Sequence, residues 1–458
     1  MSLIVSISGI RGTIGGRPGE NLTPVEIIKF SSAYGTLLKE KYINPKIALG
    51  RDGRISGEMV SNLVISTLQA IGVSIVDLGL STTPTVEMFV IQNQLEGGII
   101  LTASHNPKEW NALKLLNDRG EFLSEEDGRR IVLFSEQSNI SFAEIDVLGK
   151  IIKDPNAISK HIEAILALPI IPWSEIRRKK FHVIADCINS TGALALPILF
   201  EALDCSYELL NADIHGNFSH NPEPLPEHLE DLIYACGRGV NLGIAVDPDV
   251  DRLALVDEKG NYFGEEYSLV AAADYILGQK QGNSVSNLSS SRALKDLTLL
   301  KGGQYYASPV GEVHVVKKMK EVNAVIGGEG NGGIILPQLH YGRDALVGVA
   351  LILSHLTKSG KSLSELRAGY PTYEMCKDKI QLNSSINYLE LINYLIEHYK
   401  IHQINIEDGL KIDFEHEWVH LRKSNTEPII RIYSEATSFD KARNLVDHIK
   451  ELITNFKN

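Results

Sequence analysis

The sequence predicts an α/β protein built from repeated units and closed by a smaller α+β unit. Three observations carry this reading: short apolar runs alternate with helical patterns, that alternation restarts twice, and the pattern changes near the end of the chain. "KIALG" (46–50) reads as a strand, and "GEMVSNLVISTLQAIG" (57–72), with apolar residues three and four apart, reads as a helix. "SIVDLG" (74–79) and "EGGIILTAS" (96–104) read as further strands, so strand, helix and strand follow at the spacing of parallel α/β organisation. The alternation restarts at "KFHVIADCINSTGALALPILFEALDC" (180–205) and around "NAVIGGEGNGGIIL" (323–336). "DGLKIDFEHEWVHLRKSNTEPIIRIYSEA" (408–436) instead alternates strand-like runs, and "SFDKARNLVDHIKELITNF" (438–456) closes as a helix. Boundaries near 150, 255 and 367 divide the chain into 1–150, 151–255, 256–367 and 368–458, with no long Pro/Gly/Ser linker at any of them.

Bulk composition narrows the function classes. At 458 residues, 43% apolar and 22% charged, the chain suits a soluble globular protein with several cores. A formal charge of −12 argues against a nucleic-acid-binding surface, although a ring of Arg and Lys can invert the field inside one cleft. The four cysteines are scattered without a CxxC pair and read as buried hydrophobes in a reducing compartment. "MSLIVSISGIRG" has no basic n-region and reaches Arg11 before an apolar stretch can form. No apolar run approaches the roughly 18 residues of a membrane helix. The expectation is a cytoplasmic protein with no nucleic-acid or membrane partner.

Five loops carry candidate chemistry. In "AVDPDVDRLALV" (245–256), Asp247, Asp249 and Asp251 alternate with Pro248 and Val250 between apolar strands, so something must neutralise them. Extended backbone aims such carboxylates at one hard cation such as Mg²⁺, at a strand end where α/β sheets place ligands. An EF-hand would share Asp at positions 1, 3 and 5 and Glu258 at 12, but Arg252 stands where its sharp turn demands glycine. Arg252 suits a phosphoryl oxygen sharing the metal. In "LTASHNPKEWNALKLL" (101–116), Ser104 follows a strand beside His105 and Asn106, with Lys114 ten residues on and no GxSxG elbow. Spacing alone gives that serine ordinary turn chemistry. In "HLRKSNTEPIIRIYSEA" (420–436), Arg422, Ser424, Asn425, Thr426 and Arg431 suit a phosphate grip and a hairpin turn equally well. "IGGEGNGGIIL" (326–336) offers close backbone approach and Glu329 as acceptor for two sugar hydroxyls, without the helix of a dinucleotide fingerprint. "ISGIRGTIGG" (7–16) places Arg11 in a glycine-rich loop.

Together and in this order, these loops resemble the α-D-phosphohexomutase superfamily across essentially the whole chain, most closely the archaeal-type phosphoglucosamine mutases. "TASHNP" is similar to its phosphoserine loop, "DPDVDR" to its metal loop, "GEGNGG" to its sugar loop and "RKSNTEP" to its phosphate loop. The resemblance implies three related α/β domains with mixed sheets and a smaller C-terminal α+β domain around a central cleft. It implies Ser104 as phosphoryl donor and as a metal ligand through its phosphate, with Asp247, Asp249 and Asp251 holding Mg²⁺. Arg11, Lys114, His105 and Arg252 would surround the transferring group, with Lys114 as proton acceptor and donor. Glu329 and Asn331 would bind the sugar. Arg422, Ser424, Asn425, Thr426 and Arg431 would hold the phosphate that is not transferred. A hexose 1,6-bisphosphate would be intermediate and activator, the substrate a hexose phosphate, and the chain a monomer or homodimer.

Three departures bear on the substrate and the proton chemistry. Pro248 stiffens the metal loop without removing a ligand. Gly333 stands where many relatives carry a histidine, which leaves Lys114, His105 or His314 to complete the acid–base pair. "SPVGEVHVVKK" (308–318) places Gly311 and Glu312 in the specificity segment, and Glu312 leans toward a substrate ammonium. The expected reaction is interconversion of glucosamine 6-phosphate and glucosamine 1-phosphate. Mannose or glucose phosphates are the runner-up, and a non-catalytic sugar-phosphate-binding or calcium-binding protein is the alternative from another class.

Overall fold

A computed structural model describes residues 2–6, 9–137, 140–381, 387–423 and 429–456. Its strands fall into four sheets that follow one another along the chain. In the first, β1 (Ile4–Ser6), β2 (Gly9–Thr13), β3 (Lys46–Arg51), β4 (Ser74–Leu80), β5 (Gly97–Leu101), β6 (Trp110–Leu116) and β7 (Ile151–Lys153) take the order β1-β2-β6-β5-β3-β4-β7. β3, β4, β5 and β7 pair in parallel, whereas β1, β2 and β6 run antiparallel to their neighbours. β5, Gly-Gly-Ile-Ile-Leu, is buried along its whole length, as an interior strand covered on both faces must be.

The second sheet holds β8 (His182–Asp186), β9 (Ser206–Leu210), β10 (Leu242–Val246) and β11 (Leu253–Val256) in the order β11-β10-β8-β9. The third holds β12 (Asn283–Asn287), β13 (Tyr305–Ser308), β14 (Ala324–Glu329) and β15 (Gly333–Ile335) in the order β13-β12-β14-β15. Each is mixed, with three parallel strands and one antiparallel edge strand. The fourth sheet is antiparallel throughout: β16 (Glu374–Gln381), β17 (Gln403–Asn405), β18 (Leu410–Asp413), β19 (Trp418–Lys423) and β20 (Ile429–Ala436), in the order β16-β20-β19-β18-β17. The helix Phe439–Asn455, capped by the Ser438 hydroxyl, packs its Leu445, Val446, Ile449 and Ile453 face onto that sheet.

The structure departs from the sequence-based divisions in three places. β7 completes the first sheet beyond residue 150, pairing in parallel with β4. β11 runs through residue 255 because it pairs along its length with β10. Residues 323–336 form an antiparallel hairpin rather than a restarted strand and helix, since only Gly330, Asn331 and Gly332 separate β14 from β15. The second and third units also share one hydrophobic core, running from Ile158 to Tyr370. At its centre lies the helix Ala345–Ser359, buried almost all round, as its nearly continuous apolar sequence requires.

Candidate active site

The aspartate loop leaves β10 and returns as β11, and both strands are fully buried. Val250 takes φ +61°, a conformation rare for a β-branched residue, which lets three carboxylates gather in five residues. The Pro248 carbonyl is anchored by the hydroxyls of Ser190 at 2.6 Å and Thr191 at 2.8 Å. Asp247, Asp249 and Asp251 are each wholly buried, and one oxygen from each lies within 4.8 Å of the others. Their oxygens divide into two sets. Asp247 Oδ1 accepts the backbone N–H groups of Asp251 and Arg252, both at 3.1 Å. Asp249 Oδ2 accepts from the Lys114 ammonium at 2.7 Å and the Thr83 hydroxyl at 2.5 Å, and Asp251 Oδ2 accepts from Arg343 Nη2 at 2.6 Å. The remaining oxygens are Asp247 Oδ2, which accepts from Ser104 Oγ at 2.6 Å, and Asp249 Oδ1 and Asp251 Oδ1, which have no hydrogen-bond partner. Orphaned buried carboxylate oxygens facing one point fit a hard divalent cation. Burial, then Asp251 and Asp249, push Asp247 well above the ordinary carboxylate range, as expected of like charges gathered without a counter-ion. Burial alone would raise Asp249 too, but Lys114 overrides it and holds Asp249 below that range.

Ser104 lies in the loop after β5, buried, with its own φ at +48°. Arg54 accounts for that strained backbone. Its guanidinium donates to the carbonyls of Ser104 at 2.5 Å, Asn106 at 2.7 Å, Pro107 at 2.7 Å and Trp110 at 3.0 Å. Asp52, itself bonded by the Thr102 hydroxyl at 2.6 Å, holds Arg54 Nε at 3.0 Å. The sequence reading missed Arg54, whose only signal was "GRDGR" just beyond a parallel strand end. His105 Nδ1 lies 3.4 Å from Ser104 Oγ. Burial and the neighbouring Arg252 push its imidazole down to about 2, so the ring is neutral. Lys114 is the opposite case: burial favours the free amine, but Asp249 and Asp251 hold the ammonium.

A cleft of about 720 Å³ opens in front of these groups and is lined from all four units, including Arg11, Ser104, Arg252, Glu329 and Arg431. Arg11 and Arg431 interact repulsively across it, and neither is ion-paired among the described residues. Arg252 Nε is buried without a hydrogen-bond partner. Arg252 pairs loosely with Glu223 at 3.5 Å, so guanidinium groups on several walls, two of them without an ion pair among the described residues, favour a ligand with more than one anionic group. Arg422 lies 2.7 Å from Asp408, whose same oxygen accepts the Val310 N–H at 2.9 Å. Ser424, Asn425 and Thr426 lie outside the described residues.

The sugar-loop residues are tied to a second arginine that the sequence reading missed. Arg343 is buried and donates to Asp251, to Glu312 at 2.8 Å and to Glu329 at 3.2 Å. Glu329 Oε1 accepts from Asn287 at 2.9 Å and from the Gly311 N–H at 3.0 Å, with Gly311 at φ +119°. Asn331 and His314 line the cleft. Two expectations change here. Glu312 is neutralised by Arg343, so it is no free carboxylate waiting for an ammonium. Gly333 is cleared for Arg343, because a Cβ there would lie 2.3 Å from Arg343 Cδ. A cation therefore stands where the sequence suggested only a missing histidine.

The phosphoglucomutase/phosphomannomutase family matches the chain in four consecutive pieces. Its alpha/beta/alpha domains I, II and III match residues 3–138, 159–260 and 264–373, and its C-terminal domain matches 381–452. A phosphoglucomutase/phosphomannomutase of Thermococcus kodakarensis is 35% identical, over 95% of this chain and 96% of its own. A probable phosphoglucosamine mutase of Methanopyrus kandleri is 33% identical, over 97% and 96%. The fold is shared with a phosphoglucomutase/phosphomannomutase family protein of Burkholderia thailandensis, with TM-score 0.84, 24% identity and coverage of 99% and 98%. The protein is thus a phosphohexomutase, an isomerase that moves a phosphoryl group within a hexose phosphate. The chain belongs to the phosphoglucomutase/phosphomannomutase family of α-D-phosphohexomutases.

Proposed function

We propose that the chain interconverts glucosamine 6-phosphate and glucosamine 1-phosphate, with Ser104 carrying the phosphoryl group. The observation that carries the site reading is the 2.6 Å hydrogen bond from Ser104 Oγ to Asp247, beside two orphaned aspartate oxygens. Asp247, Asp249, Asp251 and an oxygen of phospho-Ser104 would hold Mg²⁺. When bound, that ion neutralises charge gathering on the transferring group. In the first half-reaction the Ser104 O–P bond breaks and a bond from a sugar hydroxyl oxygen to phosphorus forms, giving a hexose 1,6-bisphosphate. The Lys114 ammonium is charged and so acts first as proton donor, toward the serine oxygen; the resulting amine then takes the proton that leaves the sugar hydroxyl, which restores the ammonium. After the bisphosphate turns end for end, the other phosphoryl group returns to Ser104. Arg11, Arg252 and Arg431 supply cations for both phosphates, and Arg422 becomes available once a phosphate competes with Asp408. Glu329 binds sugar hydroxyls with its remaining lone pairs.

The amino-sugar choice rests on the name of the Methanopyrus relative and on the resemblance of the loops, and no longer on Glu312. The Thermococcus relative's name keeps glucose and mannose phosphates as the second reading. Two measurements test the proposal. Intact-mass spectrometry after incubation with glucose 1,6-bisphosphate should show one phosphate, absent from Ser104→Ala, whose turnover should fall by about a thousandfold or more. Comparing kcat/KM for glucosamine, glucose and mannose phosphates decides the substrate. A preference of about tenfold for either neutral sugar, about 1.4 kcal/mol, overturns the amino-sugar reading.

A further inference from the structure

We propose that the protein holds a second metal ion, a divalent transition metal of zinc-like preference, between His161, His340 and Asp344 at the junction of three units. His161 lies on the helix Ala157–Leu166, and Asp344 caps the helix Ala345–Ser359, four residues after His340. His161 Nε2 stands 3.0 Å from Asp344 Oδ2, and His340 Nε2 stands 3.3 Å from that same oxygen. One donor atom from each of the three residues lies within 4.8 Å of the others, and all three residues are buried. Ligands about 2.0–2.1 Å from a tetrahedral ion stand about 3.3 Å apart, close to the two nitrogen-to-Asp344 separations of 3.0 and 3.3 Å. Asp344 Oδ1 is occupied by the backbone N–H groups of Leu346 and Val347, at 2.8 and 3.2 Å, so Oδ2 alone faces the two imidazoles.

The surroundings are those of a metal site as well. The outer nitrogen of His161 lies 3.1 Å from the Thr85 hydroxyl, and that of His340 lies 3.4 Å from Glu87 Oε2. Ligating histidines are oriented by such outer partners, a carboxylate being a frequent one. Glu87 supplies the independent observation: it is fully buried, the 3.4 Å approach of its Oε2 to His340 Nδ1 is too long for a well-made hydrogen bond, and its Oε1 has no hydrogen-bond partner. Two buried carboxylates and two neutral imidazoles leave two negative charges, which one divalent ion balances. Nitrogen-rich donor sets favour zinc and its neighbours over Mg²⁺. Three protein donors leave the fourth position of a tetrahedral ion to a water molecule, and an ion so enclosed acts by holding elements together. It would tie the helix Thr83–Asn93 to the helices that carry His161 and Asp344, and so steady Thr83, which bonds Asp249, and Arg343, next to Asp344.

The full-length protein tests this without reference to turnover. It is expressed with and without added zinc, dialysed into excess Mg²⁺ to satisfy the aspartate loop, and assayed for metal content. One zinc per chain is expected, with Co²⁺ giving the intense visible bands of a four-coordinate site. His161→Gln and Asp344→Asn should each lose the zinc and the Co²⁺ spectrum. Wild-type protein that carries no zinc under either expression condition overturns the proposal, even if both variants fail to fold. Zinc that persists unchanged in folded variants also overturns it, since it would then sit on other histidines.

Discussion

At the scale of single residues, two arginines decide how the reacting loops are held. Arg54 satisfies four carbonyls of the Ser104 loop and is itself held by Asp52, with both side chains fully buried. Arg54→Ala would strand a buried carboxylate, so a loss of about 3–5 kcal/mol is expected in denaturant unfolding. Arg54→Lys keeps the charge but not the planar fork. Its kcat should fall by about tenfold or more while KM changes little, and an unchanged kcat would remove Arg54 from the positioning of Ser104. Gly333 tests the other arginine. Gly333→Ala places a methyl against Arg343 Cδ, at an expected cost of about 1–3 kcal/mol, since a buried guanidinium held by three carboxylates cannot easily move. Mg²⁺ affinity, read by titration, should weaken with it through Asp251, and unaltered affinity would show that Arg343 does not govern the loop.

At the scale of elements, β19 couples the last unit to the third. His420 on this strand is buried, its Nε2–H donates to the Asp408 carbonyl at 2.8 Å, and its Nδ1 accepts from the Ser289 hydroxyl at 2.9 Å. A carbonyl can only accept, so that tautomer follows from the chemistry. Burial pushes the ring down to about 4 from its ordinary 6.5. The unfolded chain therefore takes up the proton first as pH falls. Stability from His420 is complete above about 6.5, declines between 6.5 and 4, and is constant below, by roughly 3 kcal/mol at most. Thermal unfolding of wild type and His420→Gln across that range should show a shallower acid slope in the variant, whose amide keeps one donor and one acceptor. Equal slopes would place the acid sensitivity elsewhere.

At the scale of the whole molecule, the second and third units are one cooperative body, because a single core runs from Ile158 to Tyr370. Leu346 and Leu351, on the helix Ala345–Ser359, are fully buried in it. Leu351→Ala should cost about 2–5 kcal/mol. Hydrogen exchange should then lose protection in β8, β10, β12 and β14 together; protection lost from the third sheet alone would contradict a shared core.

Much of this protein was legible in its residues alone. Periodicity marked β3, β4, the helix Gly57–Ile71 and the helix Phe439–Asn455, since each buries a face whose spacing is local. The aspartate loop was readable for the same reason, with three carboxylates in five residues that demand a counter-charge wherever they fold. The hairpin β14–β15 was not readable, because a glycine-rich turn between apolar runs fits a strand–helix restart equally well. What only the tertiary structure decided are the meetings of residues far apart in sequence. Ser104 reaches Asp247 across 143 positions, and Arg343 reaches Asp251 across 92. A lone arginine or glutamate carries no pattern of its own, so neither Arg54 nor Arg343 is legible in the sequence, and Glu312 looks free until Arg343 is seen beside it. Side-chain chemistry was set by the sequence; which charges neutralise one another was set by the packing of four units around one cleft.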